Sequence, residues 1–373
     1  MNLEKIDKHS SATDFIKAIK TLDEKSTKED IEKLLFYDMK QEANYEIVNN
    51  EDNQIKLDYL PTDKITEKNK IEYLKNWLRY KVLISIIKFD SDTTDKTKAF
   101  LKAYLEEKLQ KQIKEITLDC ENKKLQSNRT FQITTTNLEK IYLDSDTMNS
   151  YATTFNGQKG ITNGFINSLR KKCSNFFKKY PNRLTYLELL SEIDNIYEAY
   201  KNNYSNSDLF DKFITFAKLQ NTIGNYVLVP KGYNAGYYYE NIKRNIGRAT
   251  ATSDYWDLTM EDLKSLSAKE NNYNYLIRGN KKIELNNIEK ANFKWYCENK
   301  EAFLIEVEKY IGKELFYGGH NSNNRIPNLG QMDECVKSIN KFIVNRGLEM
   351  MCTINKKIIN NRNIEIIKNE YIW

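Results

Sequence analysis

Two pairs of aspartates are the first residues whose type and spacing could do chemistry. Asp144 and Asp146 flank Ser145 in IYLDSDT, and Asp254 and Asp257 stand three apart in SDYWDLT. Carboxylate oxygens from two segments can hold a divalent cation if folding brings them together, and Arg248 nearby in sequence could hold a phosphate. That set would suit a metal-dependent nuclease or a phosphate-handling transferase. The same residues have a plainer use, since alternating carboxylates in a turn also cap helices or bond to backbone amides. Histidine chemistry has almost no candidates, because the chain holds 2 histidines, His9 and His320. GGHNSNN around His320 is a polar, glycine-containing loop that fits catalysis, metal binding, or simply a surface turn. No G-x-S-x-G elbow, Walker loop or HExxH occurs, and GQKGITNG at 157–164 lacks the GK[ST] ending of a phosphate loop. No metal ligand set or cofactor is assigned; a divalent ion enters only if the protein is an enzyme.

Charge distribution is the stronger signal. Lys and Arg total 58 against 52 Asp and Glu, a formal charge of +6, which is mild for 373 residues. Between Gly157 and Arg183, however, stand Lys159, Arg170, Lys171, Lys172, Lys178, Lys179 and Arg183 with no acidic residue, interleaved with Phe165, Phe176, Phe177 and Tyr180. Such cations can neutralise phosphates while aromatics stack on unpaired bases. The competing account is an amphipathic helix that buries Phe165, Leu169, Phe176 and Phe177 and turns its lysines to water.

The elements that must position these groups read as mostly helix. Ser26 with Glu29 predicts a capping box ahead of Ile31, Leu34, Leu35 and Met39. Further helices are predicted through Ile71 to Val82, through Leu101, Leu105, Leu109, Ile113 and Ile116, around residues 186–200, and in FKWYCENKEAFLIEVEKYI and ECVKSINKFIVNRGLEMMCTINKKI. The expected fold is mainly α, a large helical body with short strands around 54–60, 117–143 and 225–229, divided near residue 118 into regions 1–117 and 118–373. In TIGNYVLVPKGYN, Gly224 and Pro230 bound a strand-forming YVLV, so a turn, a buried strand and a turn are expected, with Thr222, Asn225 and Asn234 at the ends. Lys243, Arg244 and Arg248 follow, and Asp254 is placed to cap a helix starting near Trp256. GYNAGYYYE at 232–240 offers Tyr contact area for a protein partner.

Composition fits a cytoplasmic protein. Its 40% hydrophobic and 29% charged residues can build a core, and its 5 cysteines form no Cys-x-x-Cys pair. The N-terminus lacks a signal-peptide core, and the longest apolar run, at Val82 to Ile87, is too short for a bilayer, so no membrane partner is expected. Richness in Lys, Asn and Ile follows A/T-rich coding, so single Asn residues carry little information.

The ordered set LDSD at 143–146, TIGN at 222–225, SDYWDLT at 253–259 and INKFIVNRG at 339–347 resembles a family of uncharacterised prokaryotic proteins over roughly residues 140–350. Arg248 and Arg346 fall in its motifs, each beside a glycine, where an Arg can grip a phosphate or carboxylate or form a buried salt bridge to Asp254 or Asp257. A GN-L-x-L stretch followed by Asn, to which GNYVLVPKGYN at 224–234 is similar, also gives a more distant resemblance to the HNH nuclease half of modification-dependent restriction enzymes. The catalytic His of that half has no counterpart, since only His9 precedes Thr222. This likeness implies a place in defence against phage. Nucleic-acid or nucleotide-partner binding through the basic segment is therefore the expected function, with the aspartate-based enzyme and the Tyr-loop protein-docking module as alternatives.

Overall fold

The computed structural model describes residues 6–39 without 8, 46–49, 53–56, 92–118 without 93, 130–148, 215–233 without 217 and 218, 237–239, 242–244, 256, 259, 263, 274–278, 281–303 and 329–370. Helix α1 (Ala12–Thr21) starts at Ser11, whose side chain accepts from the Asp14 amide. Helix α2 (Lys28–Leu35) starts at a Thr27–Asp30 capping box, one residue later than the Ser26–Glu29 pair expected. Ile31, Leu34 and Leu35 are buried as their spacing requires, but Met39 lies beyond the helix, where its amide donates to the Asn221 carbonyl at 2.9 Å.

Helix α3 (Asp95–Lys108) begins at Thr94 and is capped at Leu109. Ile113 and Ile116, which the three-and-four spacing assigns to this helix, instead lie on strand β3 (Ile113–Leu118). Their β-branched side chains suit either period, and pairing with the next strand decides the matter.

Three further strands complete an antiparallel sheet of order β3-β4-β5-β6: β4 (Thr130–Thr135), β5 (Lys140–Thr147) and β6 (Tyr226–Pro230). Register pairs Phe131 with Leu143 and Asp144 with Val229. The β3–β4 pairing runs across residue 118. Three ribbons stand outside this sheet: β1 (Glu46–Asn49) with β2 (Asn53–Lys56), β7 (Tyr237–Tyr239) with β8 (Ile242–Arg244), and β9 (Tyr275–Arg278) with β10 (Lys281–Glu284). The expectation of a mainly α body is thereby corrected. Of the described residues 58% are helical and 18% strand, so the protein is mixed α/β around a four-stranded sheet. Most of these strands are too short to give an alternation signal above a helical background, and β6 reaches its partner only after a long excursion of the chain.

Helix α4 (Asn287–Glu298) covers β5 and β6. Asn292 accepts from the Tyr142 amide at 2.8 Å, and the Tyr296 hydroxyl donates to the Leu228 carbonyl at 2.8 Å. A short helix α5 (Lys300–Phe303) follows, with the Phe303 ring stacked 4.5 Å from Tyr296. The long helix α6 (Leu329–Ile354) packs on α3 and on the turn before β6. After it, Asn355 donates to the Ile19 and Leu22 carbonyls, both at 2.7 Å, and Asn361 donates to those of Asp23 and Ser26, both at 2.9 Å. These bonds fasten the segment entering helix α7 (Arg362–Glu370) to the end of α1 and the loop between α1 and α2. Among the described residues no helix is long and apolar enough to cross a membrane.

Candidate functional site

TIGN and NRG, far apart in sequence, meet in the structure. Residues Ile223–Asn225 form one turn of 3-10 helix against α6, so close that a Cβ on Gly224 would lie 2.0 Å from the Ile343 carbonyl oxygen. Gly347 sits opposite, with a hypothetical Cβ 3.4 Å from Gly224 Cα. Glycine is needed here for backbone approach; the left-handed conformation occurs instead at Gly232, φ 89°.

Asn225 then uses both ends of its amide. Nδ2 donates to the carbonyls of Gln220 at 2.7 Å and Met148 at 3.2 Å, while Oδ1 accepts from Trp256 Nε1 at 2.9 Å. Arg346 Nη1 donates to the Gly224 carbonyl at 3.0 Å, and its guanidinium lies 4.7 Å from the Trp256 ring centre. Phe342 meets the other side of this junction edge-on, 5.0 Å from the indole. Thr222 is occupied locally, its hydroxyl donating to Leu219 at 2.8 Å.

The cluster is dry: Asn225 is 0% exposed, Trp256 1% and Arg346 3%. Burial draws the Arg346 guanidinium down to about 10, partly opposed by Tyr104 and Tyr296. Among the described residues its contacts are a carbonyl and an indole, and its Nε has no hydrogen-bond partner. A closed, mutually bonded group of this kind locks α6, the turn and the Trp256 segment together, and solvent cannot deliver a substrate to it. Thr222, Asn225 and Arg346 are thus drawn to one place as structural residues.

A second polar group runs along β5. Asp144 and Asp146 share one face of the strand, alternating with Leu143, Ser145 and Thr147. The Thr130 hydroxyl donates to Asp144 Oδ1 at 2.7 Å, and Lys231 Nζ donates to Thr130 Oγ1 at 3.0 Å. On the other side the Ser145 hydroxyl donates to the Asp92 carbonyl at 3.1 Å. Asp92, Lys96, Asp146 and Lys231 are all buried, with Lys96 Nζ 5.2 Å from the Tyr37 ring centre. Charged side chains this deep need close partners, and Lys231 has one in the Thr130 hydroxyl. No three metal-ligating side chains converge among the described residues.

Asp92, Lys96 and Lys231, together with the Asn residues that fasten helices, carried no sequence signal, whereas Trp256 lay in the SDYWDLT motif. Nothing in a Lys or Asn codon distinguishes a buried partner from a solvated one. Asp254, Asp257, Arg248, Asn234, His320 and the basic set Lys159, Arg170, Lys171, Lys172, Lys178, Lys179 and Arg183 lie outside the described residues. Arg244 closes β8, opposite Tyr237. The span holding the basic set begins and ends at one place: β5 and β6 pair at Thr147 and Tyr226, and the Met148 amide donates to the Asn225 carbonyl at 3.2 Å. No family model, curated protein or solved structure matches the chain.

Proposed function

We propose that this is a cytoplasmic nucleic-acid-binding protein whose contact segment is the acid-free stretch 157–183. Seven cations in 27 residues, interleaved with aromatics, can release counterions from a phosphate backbone and stack on bases. The observation that carries this reading is that stretch, which lies in the long connection between β5 and β6. Both ends of the span emerge from the same hydrogen-bonded junction, Met148 with Asn225, beside a four-stranded sheet. Among the described residues Cys297, Cys335 and Cys352 stand outside any disulfide, which suits a reducing compartment.

The test is titration of labelled oligonucleotides by fluorescence anisotropy over a series of salt concentrations. Affinity should fall steeply with salt, and the triple change R170Q/K171Q/K172Q should lower the log–log slope on a single strand by about 2, near 0.7 per lost phosphate contact. Undetectable binding at low salt, or an unchanged slope in the triple variant, defeats the proposal.

A further inference from the structure

Arg346 carries a charge that its surroundings do not balance. The residue is 3% exposed, Nη1 donates to the Gly224 carbonyl, the guanidinium lies over the Trp256 indole, and Nε has no hydrogen-bond partner. Among the described residues the ionisable groups that act on it are Tyr104 and Tyr296, neither of them a carboxylate. Both hydroxyls are neutral donors, to the Ala302 carbonyl at 3.1 Å and the Leu228 carbonyl at 2.8 Å. A second buried donor stands unused on the segment that carries the indole. Trp256 and Thr259 are both helical and three residues apart, so they share one side of their helix. Thr259 is 0% exposed, and its hydroxyl has no hydrogen-bond partner.

A cation taken out of water needs an opposite charge, because one carbonyl and one aromatic face do not replace its hydration. A trapped water would occupy Nε and leave the charge uncompensated, whereas an anion does both. We infer that Arg346 holds a small, singly charged oxyanion, with the Thr259 hydroxyl as a second donor to it. One negative charge matches one guanidinium, and two oxygens match the planar fork of its N–H groups. The closed packing around Arg346 admits no ligand with a tail. The ion is therefore taken up as the chain folds, a structural ligand of the junction between α6, the TIGN turn and the Trp256 segment. This site is independent of the nucleic-acid reading above.

The experiment is thermal unfolding of the full chain in a buffer whose anion is a bulky sulfonate, with nitrate, acetate or chloride added at constant ionic strength. Unfolding releases the ion, so the midpoint reports its free concentration even where exchange from the folded protein is slow. The wild-type midpoint should rise along a saturating curve with nitrate or acetate, by roughly 5 °C at 100 times Kd, and less with chloride. R346M, which puts an apolar chain in place of the guanidinium, should lose the response. The gap between wild type and R346M should then be widest in nitrate and narrowest in the sulfonate, whereas an Arg346 with no ligand keeps the gap constant. T259V should raise the half-saturating concentration on the order of 10-fold, as loss of one hydrogen bond to a charge does. The wild-type curves alone decide the matter if R346M fails to fold. A wild-type midpoint that is the same in all three anions overturns the inference and leaves a buried water at Nε. So does a double-mutant cycle in which D254N or D257N couples to R346M, which would make the counter-ion the chain's own.

Discussion

Replacing Gly224 by Ala tests the junction on which the polar cluster depends. The added Cβ would stand 2.0 Å from the Ile343 carbonyl oxygen, 2.9 Å from its carbon and 3.1 Å from the Gly347 amide nitrogen. All three are backbone atoms of α6, so no side-chain rotation relieves the overlap. The helix must shift, with Phe342, Ile343 and Leu348, each at most 1% exposed, moving in a packed core. Overpacking of ordinary cores costs about 1–3 kcal/mol, and a rigid backbone contact places this variant at about 3 kcal/mol or more. Gly347→Ala provides the internal comparison: its Cβ meets Leu35 Cδ1 at 2.7 Å, the end of a side chain that can change rotamer at about 1 kcal/mol. Urea unfolding followed by tryptophan fluorescence should show the midpoint falling far more for Gly224→Ala than for Gly347→Ala, with unchanged m-values. In the Leu35→Ala background Gly347→Ala should become nearly neutral, a coupling of about 1 kcal/mol. If Gly224→Ala unfolds within about 0.5 kcal/mol of wild type, α6 does not lie against the TIGN turn and the clustering of Asn225, Trp256 and Arg346 is wrong.

Asn225→Asp should be worse than Asn225→Ala in the same assay. It sets a carboxylate oxygen against the Gln220 and Met148 carbonyls, at a cost of about 3–5 kcal/mol for an unpaired buried charge. Burial holds the Tyr104 hydroxyl up to about 12 against 10.0, so between pH 10 and 12 the unfolded chain loses this proton first. Stability from this group is full below pH 10 and falls as pH rises, by up to about 3 kcal/mol. Arg346, depressed to about 10, acts in the opposite sense over an overlapping range, so the measurement is the difference between Tyr104→Phe and wild type. That difference should move in favour of the variant as pH climbs; parallel curves would contradict it. Burial also pushes the Cys352 thiol up to about 11 from 9.0. At pH 8 its thiolate should be on the order of 100-fold scarcer than in an unfolded chain, so native alkylation read by peptide mass spectrometry should be correspondingly slow.

What the sequence determined by itself is local. Side-chain volume and spacing dictate that Ile31, Leu34 and Leu35 bury one helical face, that Leu101, Leu105 and Leu109 bury another, and that YVLV forms a buried strand between two turns. The acid-free cationic stretch is equally a property of the chain, since charge is carried by residue type whatever the fold. Tertiary structure alone decided the rest. Ile113 and Ile116 continue a helical spacing and yet become strand, because β4 offers backbone pairing that the isolated segment cannot anticipate. Gly224 marks a turn in the sequence and is also a point of contact with a helix more than a hundred residues away. Arg346 reads as a grip on a phosphate or carboxylate or as half of a buried salt bridge, and packing gives it the Gly224 carbonyl and the Trp256 indole, while Asn225 bonds the Gln220 and Met148 carbonyls. A polar side chain in a sequence has no stated dielectric; only the packing around it determines whether it meets water, a partner or the backbone.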